Sequence, residues 1–454
     1  MRLKKPSKSN ISFDFSLLFL FVVYFVIFSG SGHNKWFIPV QGLPVNFLFF
    51  FLAFLLLLAY FFVHQADIKE ETRHYAKLLI VVLLILLLVF TTFIYQIVLR
   101  RMGASATYTH DGAIQTEEAV KFLAQGKNPY AENYRATPFG QFIDNFSQGR
   151  RDNPAWSHYV YLPFLPVFSL PVYSLSQKIF NFYDQRIVYG LLFIIILLII
   201  YQLPRDKNKK IIGLIIFAFS PLFYPWFFGG YNDIFVYFWL IVSLYFLKIN
   251  KLFISLVMLA LACASKQSAW LILPFFVLYL FFKQETTKNL KQKIMHILKK
   301  FLPFAFVFVL LCGPFVIWGF RDFFDDIYRY PAGTIDSNYP MIGYGISYII
   351  FLAGFVKSIW DYYPFWIIQF LVGLPLFVYL IRKQKENNTV SQLLYNYAVF
   401  LLVFWFFSRF FQDNYLSFLF LIFLTAWLFE EKDNDLNKKF ENKYLYEGDI
   451  FQNK

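Results

Sequence analysis

Long apolar runs alternate along this chain with short polar segments that are rich in Lys and Arg. The hydrocarbon core of a bilayer is about 30 Å thick, so an apolar run of about 20 residues is long enough to cross it as a helix. The pattern predicts an all-α fold, a polytopic membrane protein with about 12 transmembrane helices and an outer loop that carries short juxtamembrane helices. The predicted spans lie near residues 12–30, 44–63, 78–98, 186–203, 211–228, 233–248, 252–264, 269–282, 300–319, 363–381, 392–409 and 415–430.

Composition and charge fit the same class of protein. The 454-residue chain is 58% hydrophobic and only 15% charged, whereas about a quarter of the residues in a soluble domain are charged. If the N-terminus is cytoplasmic, about 27 of the 42 basic residues fall on the inner side, which is the bias that membrane proteins show. This bias explains the net charge of +14. We therefore predict a multi-pass protein of the cell membrane, with both termini cytoplasmic, embedded in the lipid bilayer and without a nucleic-acid partner.

The alternation also divides the chain into three parts. Residues 1–77 are predicted to form an N-terminal transmembrane pair, residues 78–430 a transmembrane domain with a long outer loop over 99–160, and residues 431–454 a cytoplasmic tail. The first apolar run is longer than the core of a signal peptide, which is about 7–15 residues. That length favours a retained first span.

Two further apolar segments, 161–175 and 343–363, are predicted to be re-entrant or interfacial. If the first of them crossed the bilayer, the basic loops that follow would move to the outer side. Its three prolines also remove backbone donors and are expected to break a continuous helix. Irregular backbone is tolerated at membrane depth where protein or a water-filled cavity covers it.

The outer loop over 99–160 is much longer than ordinary connections, which is typical of a functional loop. It contains the polar stretch YTHDGAIQTEEAVKFLAQGKNPY, Tyr108–Tyr130. Its apolar and polar residues alternate with a helical period, which predicts a short amphipathic helix at the membrane surface. Asp111 or Thr116 can cap the start of this helix, and Gly126 can end it. From this residue alone, Asp111 is equally a helix cap and a functional carboxylate.

The same residues resemble a known family. Asp111 and Gln115 are followed by Leu-x-x-Gly-x-Asn-Pro-Tyr at Leu123–Tyr130. This order of residues resembles a motif of the glycosyltransferase C superfamily. Within that superfamily it is most similar to polyprenyl-phosphate-mannose-dependent mannosyltransferases and their uncharacterised bacterial relatives. The segment Tyr161–Pro163 reads Tyr-Leu-Pro where many members have Tyr-Pro-Pro. The resemblance implies that Asp111 is the catalytic base that deprotonates an acceptor hydroxyl, a role that contributes about 10²–10⁴-fold to a rate.

Other polar residues near predicted outer helix ends are candidates for substrate binding. Lys266 interrupts apolar sequence and can bind the phosphate of a lipid donor, or extend to the interface as an anchor. Asp233 follows two glycines and can contact the sugar, or cap the next helix. Arg409 lies among aromatic residues and can bind phosphate or anchor its helix. The predicted substrate-binding residues are His110, Gln115, Tyr130, Asp233, Lys266, Gln267 and Arg409.

Two adjacent charged pairs remain less determined by the sequence. Asp325 and Asp326 can be solvated, and no metal or other cofactor is predicted from them or from any other group. Arg100 and Arg101 lie on the predicted outer side against the charge bias, where they can face anionic lipid or a donor phosphate.

Together these features predict an integral membrane glycosyltransferase. It would move a hexose such as mannose from a polyprenyl-phosphate donor to a hydroxyl of a glycan, lipid or protein acceptor on the outer face, with inversion. One alternative is a lipid-linked glycan ligase or polymerase, for which a longer late loop rich in Arg and His is expected. The other alternative is a multi-pass transporter, which tends to place charges in broken helices at the bilayer midplane. In this chain the polar residues gather at predicted outer helix ends and in one asymmetric loop, which argues against transport.

Overall fold

A computed structural model describes residues 12–30, 45–103, 109–142, 153–284 and 289–429 of the chain. The basic N-terminal residues and the tail at 431–454, both predicted to be cytoplasmic, lie outside these ranges. The described residues are predominantly helical, with only two short strands, as the apolar pattern predicts. The α-helices are Phe13–Gly30, Val45–Gln65, Glu70–Leu84, Thr91–Arg101, Asp111–Ala124, Phe164–Phe180, Arg186–Gln202, Lys207–Phe219, Tyr224–Gly229, Asp233–Lys248, Leu252–Cys263, Leu273–Phe282, Leu290–Lys300, Leu302–Trp318, Phe320–Phe324, Tyr330–Ala332, Ile346–Leu352, Phe365–Glu386, Val390–Phe406 and Asp413–Leu428.

Shorter elements complete the fold. Two π-helical segments, Ile85–Phe90 and Asp325–Arg329, continue neighbouring α-helices. Two-residue strands pair in parallel, with Ile342 opposite Phe410 and Gly343 opposite Phe411. The 3₁₀ helices are Tyr134–Ala136, Pro138–Gln141, Pro154–Ser157 and Gln267–Ile272.

The length of the helices supports the predicted spans only in part. Among the described residues, three helical segments are long and apolar enough to cross a membrane: Leu48–Gln65, Glu70–Arg101 and Phe365–Glu386. The pair Leu290–Lys300 and Leu302–Trp318, bent by 43°, adds a fourth if it forms one span. Six shorter apolar helices of 10–17 residues follow the predicted pattern. The fold is thus a helical membrane protein, with three or four clear spans.

The proline-rich segment after residue 160 differs from the prediction. We expected its prolines to break a helix, but Phe164–Phe180 is one continuous α-helix. Pro166 lies in the first turn, where backbone N–H groups have no partner in the helix anyway, so it costs no hydrogen bond. Pro171 removes one interior bond, and the helix nevertheless continues because its N-terminal part packs on the core. There the ring of Phe168 lies 5.4 Å from that of Trp239.

The central element of the bundle is the helix Asp233–Lys248. Thirteen of its residues are buried, and it packs between Arg186–Gln202, Leu252–Cys263 and Asp413–Leu428. A helix that is apolar on all sides requires such complete enclosure. Its first residue, Asp233, is therefore held rigidly at one end of the core.

Candidate active site

A cavity of about 850 Å³ opens at one end of the bundle. It is lined by residues from the loop over 99–160, from the Lys266 turn, and from the segments before and after Val390–Phe406. Six of the predicted site residues line it: His110, Asp111, Gln115, Lys266, Gln267 and Arg409. The structure thus brings together side chains that are up to about 300 positions apart in the sequence.

Asp111 is the first residue of the helix Asp111–Ala124, and its side chain is 47% exposed. His110 precedes it as the N-cap, because its Nδ1 accepts a hydrogen bond from the backbone N–H of Gly112 at 3.1 Å. That acceptor role places the imidazole proton on Nε2, which lies 3.0 Å from Oδ1 of Asp111. The predicted cap was Asp111 or Thr116, so this part of the prediction was wrong. His110 caps the helix and orients the Asp111 carboxylate, whose Oδ2 accepts no hydrogen bond from a described residue.

Gly112 allows a tyrosine to approach the same helix start. A Cβ atom at this position would lie 2.3 Å from the hydroxyl oxygen of Tyr161, which is far inside van der Waals contact. Tyr161 lines the cavity beside Asp111. The glycine is therefore needed for close packing.

Two glutamines hold the cavity wall together. The amide nitrogen of Gln115 donates to the backbone carbonyls of Ala155 and His158, at 3.0 and 2.7 Å. That of Gln267 donates to the carbonyls of Val160 and Ile327. Both glutamine side chains thus tie separate segments to one another, and only their carbonyl oxygens are left to face a substrate.

Tyr130 and Asp233, two other predicted site residues, are not among the lining residues. Tyr130 is buried, and its hydroxyl donates to the carbonyl oxygen of Tyr161 at 2.7 Å. It supports the wall from behind, a position that does not bring it to a substrate. Asp233 is also buried, and it acts on the cavity through Lys266.

Lys266 and Asp233 form a largely buried ion pair. The Lys266 ammonium donates to Oδ1 of Asp233 at 2.7 Å and to Oδ1 of Asn232 at 3.2 Å. The other Asp233 oxygen accepts a hydrogen bond from Asn414 at 2.6 Å. Asn232 is the cap position of this helix, yet neither its side chain nor that of Asp233 makes a capping bond. Because an ammonium has three donors, one N–H of Lys266 remains for a ligand.

Polar atoms without partners surround this pair. Asn232 Nδ2, Ser268 Oγ and Asn414 Oδ1 are buried and have no hydrogen bond within the described part of the chain. All three residues line the cavity. Since buried polar atoms are nearly always hydrogen bonded, these donors and acceptors are suited to the hydroxyls of a bound sugar.

The ring of Tyr231 also lines the cavity. It packs on His110, with the ring centres 3.6 Å apart. Burial raises the pKa of Tyr231, and the carboxylates of Asp413, Asp111 and Asp233 raise it further. Asp413 also lines the cavity and had not been singled out from the sequence.

Arg409 also lines the cavity and is 3% exposed. Its guanidinium donates to the backbone carbonyls of Tyr339, Asp361 and Ile359. Three of its five N–H donors are thus used to hold the segment after Gly333 in place. Phosphate binding by Arg409, one of its two predicted roles, would depend on the two remaining donors.

Sequence reasoning missed a second acid–base pair on the cavity. Nδ1 of His158 lies 2.7 Å from Oδ1 of Asp326, and its Nε2 lies 2.7 Å from Ser337 Oγ. Burial raises the pKa of Asp326 to about 7, although His158 and the backbone N–H of Tyr159 lower it in part. The partners are 168 positions apart, so only the folded chain shows that Asp326 is buried.

The helix that carries Asp111 is anchored by buried charges. Arg100 donates to both oxygens of Glu117 at 2.6 Å and to Asp184 at 2.9 Å. Burial raises the pKa of Glu117 despite Arg100. Burial alone would also raise the pKa of Asp184, but Arg186 and Arg100 lower it to about 2. Arg100 was expected to face lipid or donor phosphate, which is wrong: its charge is neutralised inside the protein. Arg101 donates to the backbone carbonyl of Phe180.

The described residues contain no group of three or more His, Cys, Asp or Glu side chains that could hold a metal ion. The side chains that line the cavity offer an accessible carboxylate, an ammonium with a free donor, and three unpartnered polar atoms.

One family of known proteins is similar to the part of the chain that contributes Lys266 to the cavity. The model of the family described as dolichyl-phosphate-mannose-protein mannosyltransferase matches residues 166–318, about a third of the chain. The range includes Asp233 and Lys266, and Asp111 lies before it. No curated protein and no solved structure matches the chain significantly. The family match confirms the resemblance of this chain to the membrane glycosyltransferases of the C type.

Proposed function

We propose that this protein transfers a hexose such as mannose from a polyprenyl-phosphate donor to an acceptor hydroxyl. The observation that carries the proposal is that Asp111 and Lys266 line one cavity. A base for the acceptor and a cation for the leaving phosphate are what such a transfer requires. The family match supports a mannosyltransferase-type activity in a membrane.

In the proposed reaction, the acceptor oxygen attacks the anomeric carbon and its proton passes to the Asp111 carboxylate. The bond between the anomeric carbon and the phosphate oxygen breaks, and polyprenyl phosphate leaves with the electron pair. A single displacement inverts the anomeric centre. His110 orients the carboxylate through Nε2–H, which lies 3.0 Å from Oδ1 of Asp111.

Lys266 would stabilise the charge that develops on the phosphate. Its third N–H is free for a phosphate oxygen, and its ammonium lies 5.4 Å from the centre of the Tyr415 ring. A cation in a partly buried site acts more strongly than one in water, because the effective dielectric is lower. Asp233 and Asn414 fix the position of Lys266 and would not contact the phosphate themselves.

The proposal also includes sidedness. With both termini in the cytoplasm, the positive-inside bias places the Asp111 loop and the cavity on the outer face. The donor would enter from the bilayer, and the acceptor, a glycan, lipid or protein, from the outer water. The outer loop over 99–160 would be the catalytic loop of the domain at 78–430.

Purified protein incubated with a panel of polyprenyl-phosphate sugars tests the proposal. We expect loss of sugar from a hexose donor with the wild type, and a reduction of at least about 10²-fold with Asp111→Asn. Asp322→Asn is the matched control, since Asp322 is an exposed outer carboxylate that does not line the cavity. Asp413→Asn shows whether the other carboxylate that lines the cavity is the base. Near-normal transfer by Asp111→Asn in folded protein would overturn the assignment.

A further inference from the structure

A second pocket lies at the opposite end of the bundle. Its volume is about 270 Å³, and it is formed where one helix ends and two helices begin. The lining residues are His64, Gln65, Glu70, Arg73, His74, Lys77, Lys207, Asn208 and Ile211. The helical run Glu70–Arg101 has 32 residues and is therefore about 48 Å long. Its start lies at this pocket and its end contacts the Asp111 helix, so the pocket is separate from the candidate active site.

The lining of this pocket is basic. Arg73, Lys77 and Lys207 bring three positive charges and Glu70 one negative charge, which gives a formal excess of two. Lys77 is paired with Asp14, which lies behind the wall. Lys207 makes no hydrogen bond or ion pair with a described residue, so its charge is available to a ligand.

Two side chains of the pocket have buried nitrogen atoms without partners. His74 is 6% exposed; its Nε2 lies 2.9 Å from the Tyr201 hydroxyl, but its Nδ1 has no partner within the described ranges. Arg73 donates through Nη2 to two backbone carbonyls, whereas its Nε–H is buried and unsatisfied. An unpaired buried polar atom is costly. A polar ligand in the pocket that reached these atoms would satisfy them.

A further donor faces the pocket from His64. Its Nδ1 accepts a hydrogen bond from the Lys77 ammonium at 2.8 Å. The proton of the neutral ring is therefore on Nε2, which can donate to a ligand. His64, Arg73 and Lys207 thus offer N–H groups from three different helices.

Two helix N-termini add to the positive potential. The helix at Glu70 has no side-chain cap. The helix at Lys207 is capped by Asp206, whose carboxylate accepts from the N–H of Lys209; the backbone N–H groups of Lys207 and Asn208 donate to no described residue. Helix N-termini bind anions through such free N–H groups and through the helix dipole.

We propose that this pocket binds a phosphate group. Several converging N–H donors, an excess of positive charge and two helix N-termini suit a compact anion with several oxygens. In the topology proposed above the pocket faces the cytoplasm, where the phosphate would come either from the head group of an anionic lipid or from a soluble phosphate. Basic pockets between transmembrane helices on this side suit lipid head groups.

Binding to purified, delipidated protein in detergent tests this proposal without any assay of sugar transfer. The probes are short-chain phosphatidylglycerol and inorganic phosphate, each titrated and followed by native mass spectrometry and by thermal stabilisation. We expect Arg73→Gln with Lys207→Gln to weaken binding at least about tenfold, because each substitution removes a charge-assisted contact. The matched control, Arg205→Gln with Lys209→Gln, removes two nearby charges that do not line the pocket, and should change affinity less than about twofold.

The arms of the experiment distinguish the sources of the phosphate. Binding of phosphatidylglycerol but not of inorganic phosphate assigns the pocket to a lipid head group, and binding of both assigns it to phosphate in general. Lys207→Gln alone covers the case in which the Arg73 variant fails to fold, since Lys207 makes no bond that the fold needs. The Asp111→Asn variant should bind both probes as the wild type does, whatever its transfer activity. Equal affinities of the pocket and control variants, or no binding of either probe, would overturn the proposal.

Discussion

Replacing Lys266 by Met separates its structural role from its proposed catalytic role. Met has a similar length and no charge, so the single variant leaves the Asp233 carboxylate in a buried position without its cation. Asp233 would keep only the hydrogen bond from Asn414. The double variant Lys266→Met with Asp233→Asn removes both charges together.

The structure sets the expected magnitudes. The side chains of Lys266 and Asp233 are 14% and 8% exposed, so the pair is largely shielded from water. Removing one member of a buried ion pair costs about 3–5 kcal/mol, and removing both is often nearly neutral. Because Lys266 retains some exposure, we expect about 3 kcal/mol for the single variant and less than about 1 kcal/mol for the double variant.

Transfer should respond differently from stability. Both variants lose the free N–H that would bind the donor phosphate, a charge-assisted contact of about 1.5–3 kcal/mol. That loss corresponds to a decrease of about 10–150-fold in kcat/KM for the donor. The double variant should therefore regain stability and not regain activity.

The assay combines denaturant titration in mixed micelles with donor-saturation kinetics of the wild type and the three variants, Asp233→Asn included. If the stable double variant has the same kcat/KM for the donor as the wild type, Lys266 does not bind the donor phosphate and its role is limited to pairing with Asp233. A single Lys266→Met variant as stable as the wild type would refute the calculation from burial.

Three further predictions concern the walls of the site. Gly112→Ala should reduce transfer strongly, since its Cβ would meet the Tyr161 hydroxyl. Transfer kinetics should show partial recovery of activity in the double variant with Tyr161→Phe, which lacks that hydroxyl. No recovery of activity would argue against this contact. Between about pH 4 and 7 folded protein keeps a proton on Asp326 that the unfolded chain has lost, so stability should fall as pH rises, by at most about 1.4 kcal/mol per pH unit. Thermal unfolding across this range should show a smaller fall for Asp326→Asn, and an equal fall would contradict the assignment. Arg409→Lys should lower the free energy of unfolding by about 2 kcal/mol, because Lys keeps the charge but cannot reach three carbonyls; unchanged stability in a denaturant titration would contradict this.

Local features of the loop over 99–160 were predictable from the sequence. The helix at Asp111–Ala124 follows from its amphipathic pattern, and Gly126, predicted to end it, has a φ of +73°. The cap at His110 was not predictable, because His is an uncommon cap residue and its packing against the ring of Tyr231 appears only in the folded chain. The prediction thus located the element and misassigned its first hydrogen bond.

Tertiary pairs set the limit of what the sequence could reveal. Lys266 stood out as a lone charge in apolar sequence, but its link to Asn414 through Asp233 depends on helices distant in the chain. Asp326 looked like a solvated acid beside Asp325, and only packing against His158 shows that it is buried. Charges that are paired inside the protein cannot be told from exposed ones by sequence position alone.

The central claim is that one cavity holds the donor phosphate at Lys266 and presents the anomeric carbon to the acceptor near Asp111. A cryo-EM structure with a non-hydrolysable polyprenyl-phosphonate analogue of the consumed hexose donor tests it most directly. We predict phosphonate oxygens within hydrogen-bond distance of the Lys266 ammonium and a hexose that occupies the space between Lys266 and Asp111. A phosphonate bound away from Lys266, with Asp111 on the far side of the protein from the sugar, would contradict the account.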